Sequence, residues 1–294
     1  MAHHAVFTLE HSRGFGVTDR EREHRLQTGQ WTVLHEDVYR VAGAPETWKG
    51  QLLAACWAGG FRAVASHRSA AALYGLAGAR RFVAEITCPR WRRARHEGIE
   101  VHETKALDAR DITVVENIPV TTAERTLFDL GAVCSPLVVL MAFDKARRTG
   151  LVTYESTQAT LRRLAKPGRP GVRTLRLILA WRDPAQAPPE SEMETLMLDV
   201  IRRHGLPAPV PQFEIYENGR FVARVDAAYP EARIAIEYQS YQEHDEPRPI
   251  VRDSRRRNRI KRARWSVIDV THPELRDGGE DFCGAIRVGL EEAA

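Results

Sequence analysis

Residues 225–239, with the sequence VDAAYPEARIAIEYQ, predict two β-strands joined by a turn at Pro230-Glu231. If that turn is tight, Asp226 pairs with Ala235, and Glu237 lies two residues further along the same face. Diagonal neighbours on an antiparallel pair lie about 7–8 Å apart. The pattern therefore predicts that two carboxylates converge on one face of a sheet.

Two carboxylates on one sheet face repel each other unless a positive charge lies between them. Mg²⁺ suits such a site, because it is a hard cation that binds a few carboxylates and keeps its waters. Mn²⁺ is the alternative ion. The candidate metal ligands are Asp226 and Glu237, with Glu194 of the preceding predicted helix as a third carboxylate. Solvation of these carboxylates, or pairing with arginine, is the other interpretation of the same pattern.

A predicted helix at about 250–263 carries a dense row of arginines. They recur at the spacing of one helix face: Arg252, Arg255, Arg256, Arg259 and Arg262. Like charges at this density destabilise a helix unless a counter-charge is present. The phosphates of a nucleic acid would supply one, and salt bridges to the acidic stretch 243–246 or to Asp253 are the alternative.

Residues 5–41 predict a winged helix-turn-helix. Two short helices, the first over 6–12 and the second opened by a capping box at Thr18 and Glu21, precede a β-hairpin at 31–41. One face of the second helix is free to enter a major groove, and the hairpin could contact the DNA backbone. The candidate DNA contacts are Arg20, His24 and Gln27 on the helix and Arg40 in the hairpin.

The composition restricts the class of protein. The chain has 294 residues, of which 43% are hydrophobic and 28% charged, as in a soluble globular protein of about two domains. No run approaches the about 18 apolar residues that cross a bilayer, and the start lacks the apolar core of a secretion signal. We therefore expect a cytoplasmic protein without a membrane partner. The four widely spaced cysteines exclude a C-x-x-C zinc site and a disulfide framework.

The domain organisation follows from a proline-rich segment at 183–189, which predicts a linker. A winged helix-turn-helix at 1–45 and an α/β domain at 46–182 precede it. After it, residues 190–294 predict the order α-β-β-β-α-β-α, and hence a mixed sheet flanked by helices. The predicted fold class is α/β (α+β).

Several motifs of the C-terminal domain are similar to those of a known nuclease family. They are Glu194, Gly205-Leu-Pro-x-Pro209, Val225-Asp226, Glu237-x-Gln239, His244, Arg252-Asp253-x-x-Arg256 and Trp265-x-Val267. Over about 188–294 the chain resembles the domain family related to very-short-patch-repair endonucleases, within the PD-(D/E)xK fold. The resemblance implies metal-binding acids at Asp226 and Glu237 and a helix acid at Glu194, and it matches His244 and Asp253 to common family positions. The catalytic position that often holds lysine is occupied by Gln239, which is neutral and cannot act as a base.

The N-terminal half carries a second set of motifs. They include Gly16-Val17-Thr18, Val38-Tyr39-Arg40, Ser66-His67-Arg-Ser-Ala-Ala71, Ile118-Pro-Val-Thr121 and Arg125-Thr-Leu with Asp129. Over roughly 5–180 the chain resembles the AbiEi-type antitoxin family of type IV toxin–antitoxin systems. The resemblance implies a winged-helix DNA reader followed by a larger α/β domain, with a toxin encoded nearby as a partner.

Two functions fit these predictions. The first is a metal-dependent endonuclease or nickase acting on double-stranded DNA. The alternative is an AbiEi-type antitoxin or regulator that binds its own promoter and has a catalytically degenerate nuclease fold. An RNA-directed role is a third hypothesis, because a basic helix does not distinguish RNA from DNA.

Overall fold

The computed structural model describes residues 4–89, 98–182, 191–239 and 250–294, without the side chains of 250–255. The chain divides into two compact units, unit 1 (Met1–Ala187) and unit 2 (Pro188–Ala294). Within the described ranges the fold is mixed α/β with three sheets, which confirms the predicted fold class. Helices long and apolar enough to cross a membrane are absent from these ranges. The predicted linker and His244 lie outside the described residues.

Unit 1 begins with a small sheet and two helices. The elements are β1 (Val6–Thr8), α1 (Leu9–Gly14), α2 (Asp19–Gln27), β2 (Trp31–His35) and β3 (Val38–Val41), with the sheet order β1-β3-β2. The capping box of α2 is confirmed, since the Thr18 hydroxyl accepts from the Glu21 N–H and a Glu21 carboxylate oxygen accepts from the Thr18 N–H. The winged-helix assignment stays a prediction.

The predicted helix over 6–12 is wrong at its start. Val6–Thr8 is a strand that pairs with β3, and the Thr8 hydroxyl accepts from the N–H of His11, so the helix begins only at Leu9. Val6 is buried in a core cluster that also contains Leu52 and Leu53. The strand β1 therefore shares a core with residues that follow the predicted boundary at 45/46.

The rest of unit 1 combines a five-stranded sheet with helices. The elements are α3 (Trp48–Ala58), β4 (Val64–Ala65), α4 (His67–Tyr74), β5 (Ala84–Cys88), β6 (Ile99–Glu103), β7 (Ile112–Val115), β8 (Ile118–Thr121), α5 (Ala123–Val133), α6 (Pro136–Arg148), α7 (Tyr154–Leu164) and α8 (Val172–Ala180). The strand order is β6-β5-β4-β8-β7, with parallel pairs β5–β6 and β4–β8. The helices α5 to α8 enclose a core that includes Phe128, Phe143 and Leu175.

Gly171 precedes α8 at a point of close backbone contact. Its φ is +87°, and a Cβ there would lie 2.3 Å from the carbonyl oxygen of Phe128. We expect Gly171→Ala to lower the free energy of unfolding by about 2–5 kcal/mol, the combined cost of a left-handed alanine and of overpacking. Urea denaturation measures this change. Gly168→Ala is the matched control, since Gly168 also has a positive φ but no atom within 4 Å of the added Cβ; equal losses in the two variants would contradict the packing argument.

Unit 2 contains a four-stranded mixed sheet. The elements are α9 (Glu192–Arg203), β9 (Val210–Glu217), β10 (Arg220–Tyr229), β11 (Ile234–Gln239), α10 (Ile250–Arg262), β12 (Ser266–Thr271), α11 (His272–Arg276) and α12 (Glu280–Glu292). The strand order is β12-β11-β10-β9, with β11 and β12 parallel and the other pairs antiparallel. The PD-(D/E)xK assignment of this sheet stays a prediction.

The predicted register of β10 and β11 is wrong. Ala228, and not Asp226, pairs with Ala235. The reason is the length of the connection, because the strands are joined by residues 230–233, closed by a hydrogen bond from the N–H of Arg233 to the carbonyl of Pro230. The longer turn moves Asp226 along the sheet to the level of Glu237.

Candidate functional site

Three carboxylates lie at one level on three neighbouring strands of unit 2. The pairing of Ala227 with Ile236 brings Asp226 to the level of Glu237, and Glu237 in turn pairs with Asp269 of β12. Side chains at one level of neighbouring strands project from the same face of a sheet. We call Asp226, Glu237 and Asp269 the acidic row.

Asp226 stands where β10 and β11 stop pairing. Its Oδ2 accepts a hydrogen bond of 2.8 Å from the backbone N–H of Tyr238. A side-chain oxygen here takes up a backbone donor that would otherwise need a partner from the neighbouring strand. The carboxylate of Asp226 is therefore fixed at the point where the two strands separate.

Glu237 is the buried member of the acidic row, with 5% of its surface exposed. Burial raises its pKa, and the charges of Asp269 and Asp226 add to the rise, whereas Arg256 and Arg257 oppose it. Its Oε1 lies 2.7 Å from Nη1 of Arg256, but this buried oxygen accepts no well-aligned hydrogen bond. The guanidinium of Arg256 therefore offsets the charge of Glu237 but leaves its Oε1 without a hydrogen bond.

Asp269 is a site residue that the sequence reasoning missed. Its Oδ1 accepts a hydrogen bond of 2.7 Å from Nε2 of Gln239, and its Oδ2 lies 3.0 Å from Nη2 of Arg257. The available signal was a single acid inside the apolar strand sequence SVIDVT. Its place in the row depends on the parallel pairing of β11 with β12, which the sequence reasoning did not assign.

Two other predicted catalytic residues have different surroundings. Gln239 lies beside the acidic row and orients Asp269 through its amide. Glu194 is buried in the first turn of α9, where its N–H donates to Oγ of Ser191 and its Oε1 lies 3.4 Å from the same hydroxyl.

The helix α10 has one apolar side that packs in the core and two groups of arginines, one beside the acidic row and one exposed. Ile260 and Ala263, which directly follows α10, are buried against the sheet, and Arg256 and Arg257 contact the acidic row. Arg259 and Arg262 are exposed and have no ion-pair partner among the residues that the structure describes. The side chains of Arg252, Arg255 and Asp253 lie outside the described part, as does the acidic stretch 243–246.

The residues of unit 1 that are predicted to contact DNA differ in their exposure. Arg20, His24 and Gln27 are all exposed on α2, a helix with no buried residue. Arg40 is different, because its side chain is only 18% exposed and its Nη1 lies 3.2 Å from Oε2 of Glu46. The prediction that Arg40 reaches a phosphate stays a prediction, and contact with a phosphate would have to replace the ion pair with Glu46.

The donor set of the acidic row fits a hard divalent cation. Three carboxylates face one region, and Glu237 has a buried oxygen that lacks a hydrogen bond. The three side chains do not form a cluster with all ligand atoms within 4.8 Å; within the described residues only His67, Glu85 and His102 of unit 1 do so. Mg²⁺ does not need such a closed cage, because it keeps several waters and binds through one or two carboxylates.

Comparisons with known proteins leave the function open. No family model matches the chain. Two uncharacterized proteins of Mycobacterium tuberculosis, from strains CDC 1551 / Oshkosh and ATCC 25618 / H37Rv, are each 29% identical to it over 219 residues, which is 74% of this chain and 77% of theirs. The function must therefore be argued from the geometry of the site.

Proposed function

We propose that the protein is a cytoplasmic, DNA-binding, metal-dependent endonuclease that hydrolyses or nicks phosphodiesters at the acidic row. The observation that carries this proposal is the alignment of Asp226, Glu237 and Asp269 at one level of three strands. Such a concentration of carboxylates beside the cationic helix α10 suits a cation and a phosphate together. A sheet face used only for packing would have little reason to hold three acids.

Each residue of the site has a distinct role in this proposal. Asp226, fixed by Tyr238, and Glu237 would hold the ion, and bound Mg²⁺ or Mn²⁺ would polarise the phosphodiester and lower the pKa of a water. Gln239 cannot accept the proton of that water. Glu237 is the acceptor we propose, through the carboxylate oxygen that does not bind the ion.

The two arginines next to the acidic row would then contact the DNA. Arg256 contacts Glu237 and Arg257 contacts Asp269, and both guanidinium groups remain partly exposed. A cation bound by the acids would take over this charge compensation. The arginines could then donate to phosphate oxygens, for which the planar guanidinium is well suited.

Plasmid cleavage tests the proposal directly. Supercoiled plasmid incubated with the protein and Mg²⁺ is expected to become nicked or linear, and EDTA is expected to stop the reaction. The products are separated on an agarose gel. Intact plasmid at every concentration of Mg²⁺ or Mn²⁺ would contradict an endonuclease.

The exposed arginines of α10 provide a test of DNA binding by itself. Each neutralised phosphate contributes about 0.9 to the slope of log K against log salt concentration. We expect Arg259→Gln and Arg262→Gln each to reduce that slope by about 0.9, as measured by fluorescence anisotropy of labelled duplex DNA over a range of salt. The control is Arg287→Gln, which removes an exposed charge from α12 and should leave the slope unchanged. A slope equal to that of the wild type in both α10 variants would exclude this helix from the interface.

The second candidate function is a DNA-binding regulator of AbiEi type with a degenerate nuclease fold. The ion pair between Arg256 and Glu237 and the amide of Gln239 on Asp269 favour it, because side chains of the protein already engage two of the three acids. This function predicts protection of the protein's own promoter in a footprinting experiment, without strand cleavage, and binding to a toxin encoded nearby. Competition between duplex DNA and RNA would distinguish the RNA-directed alternative.

A further inference from the structure

Unit 1 contains a second cluster of metal-ligating side chains, which the nuclease proposal does not use. The parallel pairing of β5 with β6 places Glu85 beside Glu100 and Thr87 beside His102. Because alternate residues of a strand share a face, these four side chains lie on one face of the sheet. The first residue of α4, His67, packs over that face.

The cluster is compact and largely buried. One ligand atom from each of His67, Glu85 and His102 lies within 4.8 Å of the other two. Glu85 has no exposed surface and His67 only 6%, while the imidazole rings of His67 and His102 stack with centroids 3.5 Å apart. Nε2 of His102 lies 3.6 Å from Oε2 of Glu85.

Two features of this cluster are energetically unfavourable, and the packing around it does not explain them. Nε2 of His102 is buried and makes no well-aligned hydrogen bond, although it lies 3.6 Å from Oε2 of Glu85 and 3.9 Å from Oε1 of Glu100. The backbone of His67 has a φ of +49°, one of eleven positive values at non-glycine residues among those described, and it stands at the first position of a helix. Strain and unsatisfied polar atoms of this kind concentrate at functional sites.

We propose that His67, Glu85 and His102 form a binding site for a late first-row divalent cation, with Zn²⁺ as the ion to test. Two imidazoles and one carboxylate are the ligand set of zinc sites that keep a fourth position open for water or substrate. Nitrogen ligands favour such ions over Mg²⁺, which selects oxygen. The site is therefore chemically distinct from the acidic row of unit 2.

Neighbouring groups hold two of the three ligands in place. Oγ of Ser66 lies 2.9 Å from Nδ1 of His67 and accepts a hydrogen bond from Thr87. Arg68 donates to both oxygens of Glu85, through its side chain to Oε1 and through its backbone N–H to Oε2. Partners of this kind fix the orientation of metal ligands.

Binding requires a movement of His102. Stacked rings inclined by only 21° cannot both direct a nitrogen lone pair at one ion. His67 contacts Ser66, whereas the side chain of His102 is 24% exposed, so His102 is the ligand that we expect to turn. The guanidinium of Arg68 reduces the negative charge of the site, so we expect weaker binding than at a closed structural zinc site.

Metal titration of the chelator-treated full-length protein tests this proposal. Calorimetry with Zn²⁺ is expected to show about one site per chain, and Co²⁺ is expected to produce visible d–d absorption from coordinated imidazole. At a hundredfold excess of Zn²⁺ over Kd the melting temperature should rise by about 5–10 °C. His102→Gln and His67→Ala should each weaken the affinity by more than about 100-fold, since the loss of a mere supporting partner costs 10- to 100-fold.

Control variants distinguish Zn²⁺ binding at this cluster from binding elsewhere and from loss of the fold. His24→Gln removes an exposed histidine of α2 and should bind Zn²⁺ like the wild type, as should the Asp226→Asn, Glu237→Gln double variant. His102→Gln should keep the circular dichroism spectrum and metal-free melting temperature of the wild type, because its side chain is partly exposed. Unchanged Zn²⁺ affinity in a folded His102→Gln variant, or no binding by the wild type, would show that the cluster is only a structural network.

Discussion

Replacing Glu237 with glutamine is expected to reduce Mg²⁺-dependent plasmid cleavage by about 10²–10⁴-fold, the range of general acid–base contributions. The variant loses both a metal-binding charge and the proton acceptor of the proposed reaction. The fold should persist, because glutamine has nearly the same size and its carbonyl oxygen can occupy the position of the carboxylate oxygen beside Arg256. Gel-based initial rates measure the loss, and circular dichroism confirms the fold.

The matched control is Glu231→Gln, which removes an exposed carboxylate from the turn between β10 and β11. It should cleave at the rate of the wild type. DNA affinity should fall in neither variant, because glutamine removes a negative charge from a polyanion-binding surface. Cleavage by Glu237→Gln at the rate of Glu231→Gln would remove the acidic row from catalysis and favour the regulator.

The pH dependence of wild-type cleavage follows from the same residue. Burial raises the pKa of Glu237, and the neighbouring charges of Asp269 and Asp226 add to this effect. In the metal-free protein, protonation of Glu237 competes with Mg²⁺, so the Mg²⁺ concentration needed for half-maximal cleavage should rise as the pH falls through this raised pKa. Mg²⁺ titrations of the initial rate at several pH values measure this change.

Local signals predicted much of the fold from the sequence. The capping box at Thr18 and Glu21 correctly identified the start of α2, because both partners lie within one helical turn. The start of α5 shows where such a local signal is ambiguous: Thr121 ends β8, and Thr122 caps α5. Thr121 and Thr122 both carry a hydroxyl that could cap the helix. The pairing of β8 with β7 and β4 places Thr121 in the strand and leaves Thr122 as the cap.

The candidate site could be predicted only in part, for a related reason. Asp226 and Glu237 lie close in the sequence, and an error of a few residues in turn length changed their relative position without separating them. Asp269 enters the row through a parallel strand pair, and His102 approaches His67 and Glu85 through another. Registers between strands distant in sequence depend on the assembled sheet, so residue spacing alone did not reveal these contacts.

A buried ion network in unit 1 leads to the largest expected effect on stability. Arg125 is 2% exposed and donates through Nε to Asp129 at 2.9 Å, and through Nη1 to Asp111 at 3.2 Å and to the carbonyl of Ala106 at 2.8 Å. Arg163 also pairs with Asp111. Asp129 thus depends on Arg125, whereas Asp111 keeps a second cation.

Arg125→Met is expected to lower the free energy of unfolding of unit 1 by about 3–5 kcal/mol, because it removes the ion-pair and hydrogen-bond partner of buried Asp129 and leaves the charge of Arg169 as the main compensation. Urea denaturation followed by tryptophan fluorescence measures the loss, since every tryptophan except Trp265 belongs to unit 1. The control Arg173→Met removes an exposed arginine of α8 that has no ion-pair partner among the described residues. It should change stability by less than about 0.5 kcal/mol.

The loss in Arg125→Met should depend on pH with a defined sign. Burial already raises the pKa of Asp129, and the charge and hydrogen bond of Arg125 oppose that rise, so the variant raises it further. A carboxyl with a raised pKa in the folded state binds a proton more readily there than in the unfolded chain. The difference in stability between variant and wild type should therefore be largest at neutral pH and shrink as the pH falls through the raised pKa. A difference that stays constant, or grows on acidification, would show that lost packing of the arginine stem, and not the buried charge of Asp129, causes the destabilisation.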